Sequence, residues 1–199
     1  MIDLLLVRHA PAKPRSSEAD DADRNLSRQW RARLRRMVRG LCHLGVRFDT
    51  LYHSPWLRSI ETANALAALL DGESTVTNRL CEAPSDALLA MIVGRRVAVV
   101  GHEPHLGSLA AWLVQGDADQ RDAFALPPTG LVWLFGELSP GKMRLRALLP
   151  PGVLRVLAQR GQPPDPSRRR PCMTPMAKAR RVRHGAAAFG SRASERRHP

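Results

Sequence analysis

The chain has 199 residues, 44% of them apolar, which is enough to bury one core and leave extra material outside it. Its net charge is +13, but residues 151–199 hold 12 Lys and Arg against two acids, whereas residues 1–150 hold 19 against 16. The high charge is thus a property of the tail and does not assign the folded part to nucleic acid.

The chain opens with Leu4 to Val7, a short apolar run of strand length. It ends on Arg8 and His9, two groups foreign to a core, and Pro11 prevents the strand from continuing as a central one. Ala12 to Asn25 is polar and rich in Pro, Ser and Asp, and reads as a loop. Ser27 is a good N-cap, and Trp30, Leu34, Met37, Val38 and Leu41 follow at helical spacing. Arg28, Arg31, Arg33, Arg35, Arg36 and Arg39 fill the other faces as a solvated surface, and Gly45 ends the helix.

Phe48 to His53 has the composition of a second strand, broken by Ser54-Pro55. A helix is expected from about Trp56 to Leu70, burying Leu57, Ile60, Ala63, Leu66, Ala67 and Leu70. Ser74 to Thr77 reads as a short third strand, Asn78 to Pro84 as a loop, and Ser85 as the cap of a short helix to Val93. Arg96 to Val100 is a fourth strand, apolar on both faces and so covered by helices on both sides.

Gly101-His102-Glu103-Pro104 turns the chain into a helix over His105 to Val114, with Leu106, Leu109, Ala110 and Leu113 inward. Thr129 to Leu138 and Met143 to Leu149 form an antiparallel pair across Ser139-Pro140-Gly141. The expected fold is α/β: a three-layer sandwich whose mostly parallel central sheet has an antiparallel edge and helices on both faces. A domain over residues 1–159, with a short capping helix at 151–159, is followed by a basic, Pro- and Arg-rich tail at 160–199. That tail has too few large apolar residues to offset ordering entropy.

Cys42, Cys81 and Cys172 are scattered and lack metal-type spacing. That suits a reducing compartment and argues against a disulfide framework. With no secretory leader pattern and no stretch near 18 apolar residues, a soluble cytoplasmic protein is expected.

Four residues share one logic. Arg8 and His9 follow the first strand, Arg58 lies in the first turns of the helix after the second, and His102 follows the fourth. In a parallel sheet these strand ends open on one edge, where α/β folds place ligands. A phosphoryl group in transfer spreads charge over its oxygens. Arginine forks bind such oxygens, and a neutral imidazole can attack phosphorus. A second His can donate to a phosphoryl oxygen while protonated, and the arginines keep the first one neutral. An Arg-His pair, a His after a strand or an Arg on a helix is commonplace alone; their convergence carries the reading.

Four segments make the sequence similar to the histidine phosphatase (phosphoglycerate-mutase-like) superfamily, and within it to the small SixA-type phosphohistidine phosphatases. They are Leu5-Leu6-Val7-Arg8-His9-Ala10, Asp23-Arg24-Asn25-Leu26-Ser27, Ser54-Pro55-Trp56-Leu57-Arg58-Ser59-Ile60-Glu61-Thr62-Ala63 and Val99-Val100-Gly101-His102-Glu103-Pro104. The resemblance spans about residues 2–149. It implies His9 as the phosphorylated nucleophile, Arg8 and Arg58 as phosphoryl ligands, His102 completing the pocket, and no metal or organic cofactor. The short length favours the SixA-type branch, with a phosphorylated signalling or phosphorelay protein as substrate and partner. Ala10 replaces the commoner Gly, and Trp30 stands where the family's helix opening has Gly.

Other candidates are ranked beside these. Glu82 is the positional candidate for the superfamily's proton donor, with a surface loop acid as the plain alternative. Ser54 either contacts phosphate or caps the next helix. His53 and His105 flank motif segments. A metal held by His9, His53, His102 and His105 is disfavoured, because Arg8 and Arg58 would repel a cation. Val182-Arg183-His184-Gly185 repeats the signature without a preceding strand and is a decoy. The alternative functions are a small-molecule phosphomonoesterase, or a non-catalytic phosphate- or nucleic-acid-binding module using the basic tail; no membrane partner is expected.

Overall fold

The structure, a computed structural model, describes residues 1–12 and 21–160. The tail beyond Arg160, the decoy at Val182-Gly185 and most of the expected loop after Ala12 lie outside these residues.

Six strands form one sheet in the order β3-β2-β4-β1-β5-β6: β1 (Ile2–Arg8), β2 (Phe48–His53), β3 (Leu70–Val76), β4 (Arg96–Gly101), β5 (Leu131–Gly136) and β6 (Met143–Leu149). β1, β2, β3 and β4 are mutually parallel, β5 runs antiparallel to β1, and β6 antiparallel to β5. The helices are α1 (Arg28–His43), α2 (Leu57–Leu66), α3 (Asp86–Met91), α4 (His105–Gln115) and α5 (Pro151–Arg160). This is the expected α/β sandwich with an antiparallel edge.

The period-2 alternation of strand side chains divides the core into two layers. Leu4, Leu6, Val97 and Val99 point to one face, where they meet Leu106, Leu109 and Leu113 of α4 and Leu88 of α3. Leu5, Val7, Ala98 and Val100 point to the other, where they meet Leu34, Met37 and Leu41 of α1, Leu66 of α2 and Leu154 of α5. Burial on both faces is why β1 and β4 are apolar throughout.

Local signals set the helix ends. The Ser27 hydroxyl accepts from the Trp30 amide at 3.3 Å. At the other end, Gly45 at φ 72° lets its own N–H reach Cys42 O, and the Val46 N–H reach Leu41 O, a pairing that satisfies two terminal carbonyls. α5 packs on α1, with Leu154 fully buried over Gly40.

Three expectations need correction. α2 ends at Leu66 rather than Leu70, and β3 starts at Leu70 rather than Ser74, because β3 must pair with β2 from Phe48 onward. The buried face of α2 is also rotated: Arg58, Ser59, Thr62, Ala63 and Leu66 are buried, whereas Leu57, Ile60 and Leu70 are half-buried and Ala67 is exposed. The polar half of that face turns toward the strand ends, where it finds hydrogen bonds. β5 is shorter than expected, because Thr129 takes φ 61° and Gly136 φ 155°, which frame the strand. Cys81 is a free thiol.

Candidate active site

The C-terminal ends of β1, β2 and β4 lie side by side, so the segments that leave them share one edge of the sheet. There they surround a cavity of about 380 Å³ lined by Arg8, His9, Asp21, Arg24, Trp56, Arg58, Cys81, His102, Glu103 and His105, among others. The four residues singled out by strand position, Arg8, His9, Arg58 and His102, all line it.

His9 leaves β1 with its amide bonded to Gly101 O of the neighbouring β4, at 3.2 Å. Its ring is fixed at both nitrogens. Nδ1 lies 2.7 Å from Ala10 O, and Nε2 accepts from Arg58 Nε at 3.2 Å. A carbonyl can only accept and an arginine can only donate, so the network assigns the neutral tautomer with hydrogen on Nδ1 and a lone pair on Nε2. Burial first, and then Arg58 and Arg8, hold its pKa down to about 4, against the Ala10 carbonyl and Asp21, which raise it.

The turn beyond His9 is held by α2. The Ala10 amide donates to Thr62 Oγ1 at 3.1 Å, and that hydroxyl donates to Arg58 O at 2.7 Å. Glu61, next to it, accepts from the Leu26 amide at 2.6 Å and from Arg31. The Thr-Ala end of the longest motif therefore braces the turn and the start of α1.

His102 is 5% exposed, with its ring centroid 4.8 Å from that of His9 and 4.3 Å from that of Trp56. Its Nε2 sits 2.6 Å from Ser54 Oγ and 3.4 Å from Ser59 Oγ, while its buried Nδ1 has no hydrogen-bond partner among the described residues. A serine hydroxyl donating to Nε2 places the ring hydrogen on Nδ1. Burial is the main reason its pKa falls to about 3, with His9 and Arg58 adding to it.

Arg58, 6% exposed, lies over the Trp56 ring at 4.2 Å. Besides His9, it donates from Nη1 to Asp21 O at 2.6 Å and from Nη2 to Asp21 Oδ2 at 2.9 Å. Arg8 donates from Nη1 to Leu126 O at 2.6 Å, and its buried Nε has no hydrogen-bond partner among the described residues. Desolvation lowers the Arg8 pKa, partly offset by Glu103. Glu103 accepts from the Leu126 amide at 2.9 Å and the Gly107 amide at 3.3 Å, which ties the α4 start to the loop that holds Arg8.

Ser54 neither caps α2, whose N-cap is Trp56 with no side-chain bond, nor is open to solvent; it is fully buried against His102. Glu82 is exposed and does not line the cavity. The short turn Asn78–Cys81 brings Cys81 inward, and the extended backbone at Glu82 (φ −122°, ψ 169°) carries the next side chain away, to a separate small cleft. His105 lines the cavity, whereas His53 is buried away from it, bonded through Nδ1 to Ser54 O. Asp21, Arg24, Trp56 and Glu103 were not singled out individually from the sequence. Arg24, Trp56 and Glu103 stand inside motif segments, but Asp21 carries no local signal.

The model of the histidine phosphatase superfamily (branch 1) matches residues 4–91, which include Arg8, His9 and Arg58. An uncharacterized protein of Picosynechococcus sp. is 31% identical over 125 residues, or 58% of this chain and 74% of its own length. The chain belongs to the histidine phosphatase superfamily. Among solved structures, the protein histidine phosphatase SixA complexed with tungstate matches at TM-score 0.64 and 21% identity, over 77% of this chain and 99% of its own. A SixA-type protein from Agrobacterium tumefaciens matches at 0.62 and 22%, over 74% and 97%. A phosphoserine phosphatase from Entamoeba histolytica matches at 0.59 and 16%, over 77% and 100%. These structures share the fold.

Proposed function

We propose that the protein is a cofactor-independent phosphatase that works through phospho-His9 and acts on phosphohistidine carried by a signalling or phosphorelay protein. The observation that carries this reading is the His9 ring: a neutral imidazole whose Nε2 lone pair faces the cavity between Arg58 and His102.

In the first step the Nε2 lone pair forms a bond to phosphorus, and the bond from phosphorus to the leaving nitrogen breaks with its electron pair, which takes up a proton. The Arg58 Nε–H, which now sits on that lone pair, must pass to a phosphoryl oxygen. Arg8 Nε–H and His102 Nδ1–H, which have no hydrogen-bond partner among the described residues, supply two further donors. In the second step water attacks phosphorus, the N–P bond to His9 breaks, and neutral His9 and inorganic phosphate remain.

The substrate class follows from proton supply. An alcohol leaving group needs an acid. Glu82 lies outside the cavity, and the two carboxylates that line it among the described residues, Asp21 and Glu103, are engaged as acceptors by arginines and backbone amides. An imidazole leaves readily once protonated and needs less help.

The test is a substrate panel of phosphohistidine proteins against phosphomonoesters, followed by an alkaline quench and localisation of the label. Phosphate on His9 is expected, and His9→Ala should lose at least about 10³-fold in kcat. Normal turnover by that variant would sink the mechanism, and a preference for phosphomonoesters would sink the substrate class.

A further inference from the structure

Asp21 reaches the cavity from a short turn, Asp21–Asp23, with its side chain only 28% exposed. Its carboxylate lies between two arginines: Oδ1 accepts from Arg24 at 2.5 Å and Oδ2 from Arg58 at 2.9 Å. Its main-chain carbonyl takes a second N–H of the same guanidinium. Arg58 thus spends two nitrogens on Asp21 and the third on the lone pair of His9. The fork best placed to bind a phosphoryl group beside His9 is already occupied by an anion from the chain itself.

We propose that Asp21 is an internal competitor for the phosphoryl site, its carboxylate standing on Arg58 and Arg24 where a phosphoryl group binds, and being displaced when one enters. This rests on the reading of the cavity as a phosphoryl pocket. One carboxylate oxygen and the main-chain carbonyl of Asp21 occupy the Arg58 fork as two phosphoryl oxygens would, and both pairs cannot hold it at once.

Charge favours the exchange. Among the described residues, the cavity is lined by three arginines and two carboxylates. With His9 and His102 neutral, these five groups carry one net positive charge. A phosphoryl dianion entering beside Asp21 would leave the site net negative in a partly desolvated space; with Asp21 withdrawn, the charges balance. Two consequences follow. Free phosphate, the product, is held weakly because Asp21 competes to return. A substrate with further anionic groups near its phosphorus is disfavoured, whereas a phosphoryl group on a neutral imidazole adds no charge beyond its own.

Calorimetric titration of the full-length protein with tungstate, an oxyanion standing in for the phosphoryl group, tests this at fixed ionic strength. Asp21→Asn keeps the size of the side chain, removes its charge and leaves one oxygen in place of two to accept from the arginines. Its Kd for tungstate should fall about tenfold, the scale of one displaced charge contact at partial exposure. Inhibition by inorganic phosphate should strengthen likewise, with KM and kcat both lowered as product release slows. Asp21→Glu should stay near wild type, and Asp21→Ala gives a second reading of the same effect. Unchanged or weaker tungstate binding by the Asn and Ala variants overturns the proposal, because the carboxylate then serves to position Arg58. Arg58→Ala separates the two readings: if it leaves tungstate binding intact, the phosphoryl pocket itself is wrong.

Discussion

At the scale of single residues, the cavity is governed by which hydrogen bonds each polar atom has left. His102 shows this best. Its Nε2 is held by Ser54 and its Nδ1 is buried without a partner among the described residues, so a serine hydroxyl donating to Nε2 leaves the hydrogen on Nδ1. Ser54→Ala should free the ring to flip or change tautomer, lowering kcat/KM on the order of tenfold while KM moves little, since small misplacements at a reacting centre cost that much. An unchanged kcat in steady-state assays would show that Ser54 only fills space. Glu82→Gln should leave phosphohistidine turnover within about twofold of wild type, because the side chain is outside the cavity; its abolition would restore the monoesterase reading. Arg8, His9, Arg58 and His102 were legible in the sequence because each sits at a strand end, where chain position alone predicts the neighbourhood. Ser54's partner was not, because it is 48 residues away, and Glu82 was not, because one residue of turn decides between Cys81 and Glu82 at the cavity wall.

At the scale of elements, α2 is the informative case. Apolar spacing put Leu57 and Ile60 inward, yet the helix buries Arg58, Ser59 and Thr62 instead. Periodicity reads hydrophobicity, and it fails where a helix face is buried against polar partners from other segments: here the Ala10 amide, His102 and Asp21. α1 and α4 were legible because their inward faces meet only apolar neighbours. Contact between α1 and α5 makes a separate prediction. A Cβ on Gly40 would overlap the Leu154 carbonyl of α5, and backbone cannot move aside as a flexible side chain can. Gly40→Ala should lose about 1–3 kcal/mol, despite alanine's better helix propensity, as α5 shifts away. Urea unfolding and hydrogen exchange would read it; a stabilised variant with α5 still protected would show that the two helices do not depend on that close approach.

At the scale of the whole molecule, the sheet order places β4 between β2 and β1, so the segments leaving all three open on one edge. That arrangement gathers His9 and His102 into a space that suppresses their charge, and the cost of suppression appears in global stability. His9 is held down to about 4 and His102 to about 3, both mainly by burial; His53 is lowered by burial as well. In the unfolded chain these rings titrate near 6.5. As pH falls below that value, the unfolded state takes up protons that the folded state refuses, so the difference in bound protons favours unfolding. Stability contributed by these histidines is present above about pH 6.5 and is lost as pH falls toward 4. For His9 alone the loss amounts to about 3 kcal/mol over that range. Asp21, Asp49 and Asp71, lowered chiefly by hydrogen bonds from Arg24, Arg96 and Arg47, act in the same direction, but only as pH falls through and below the ordinary carboxylate range. The interval from pH 6.5 to 4.5 therefore belongs to the histidines. Urea midpoints measured across it should fall steadily, and His9→Gln should flatten the slope while retaining the ring's volume and hydrogen bonding in part. Equal slopes in the two proteins would mean that His9 titrates alike in the folded and unfolded chain, so that burial does not hold it neutral below pH 6.5.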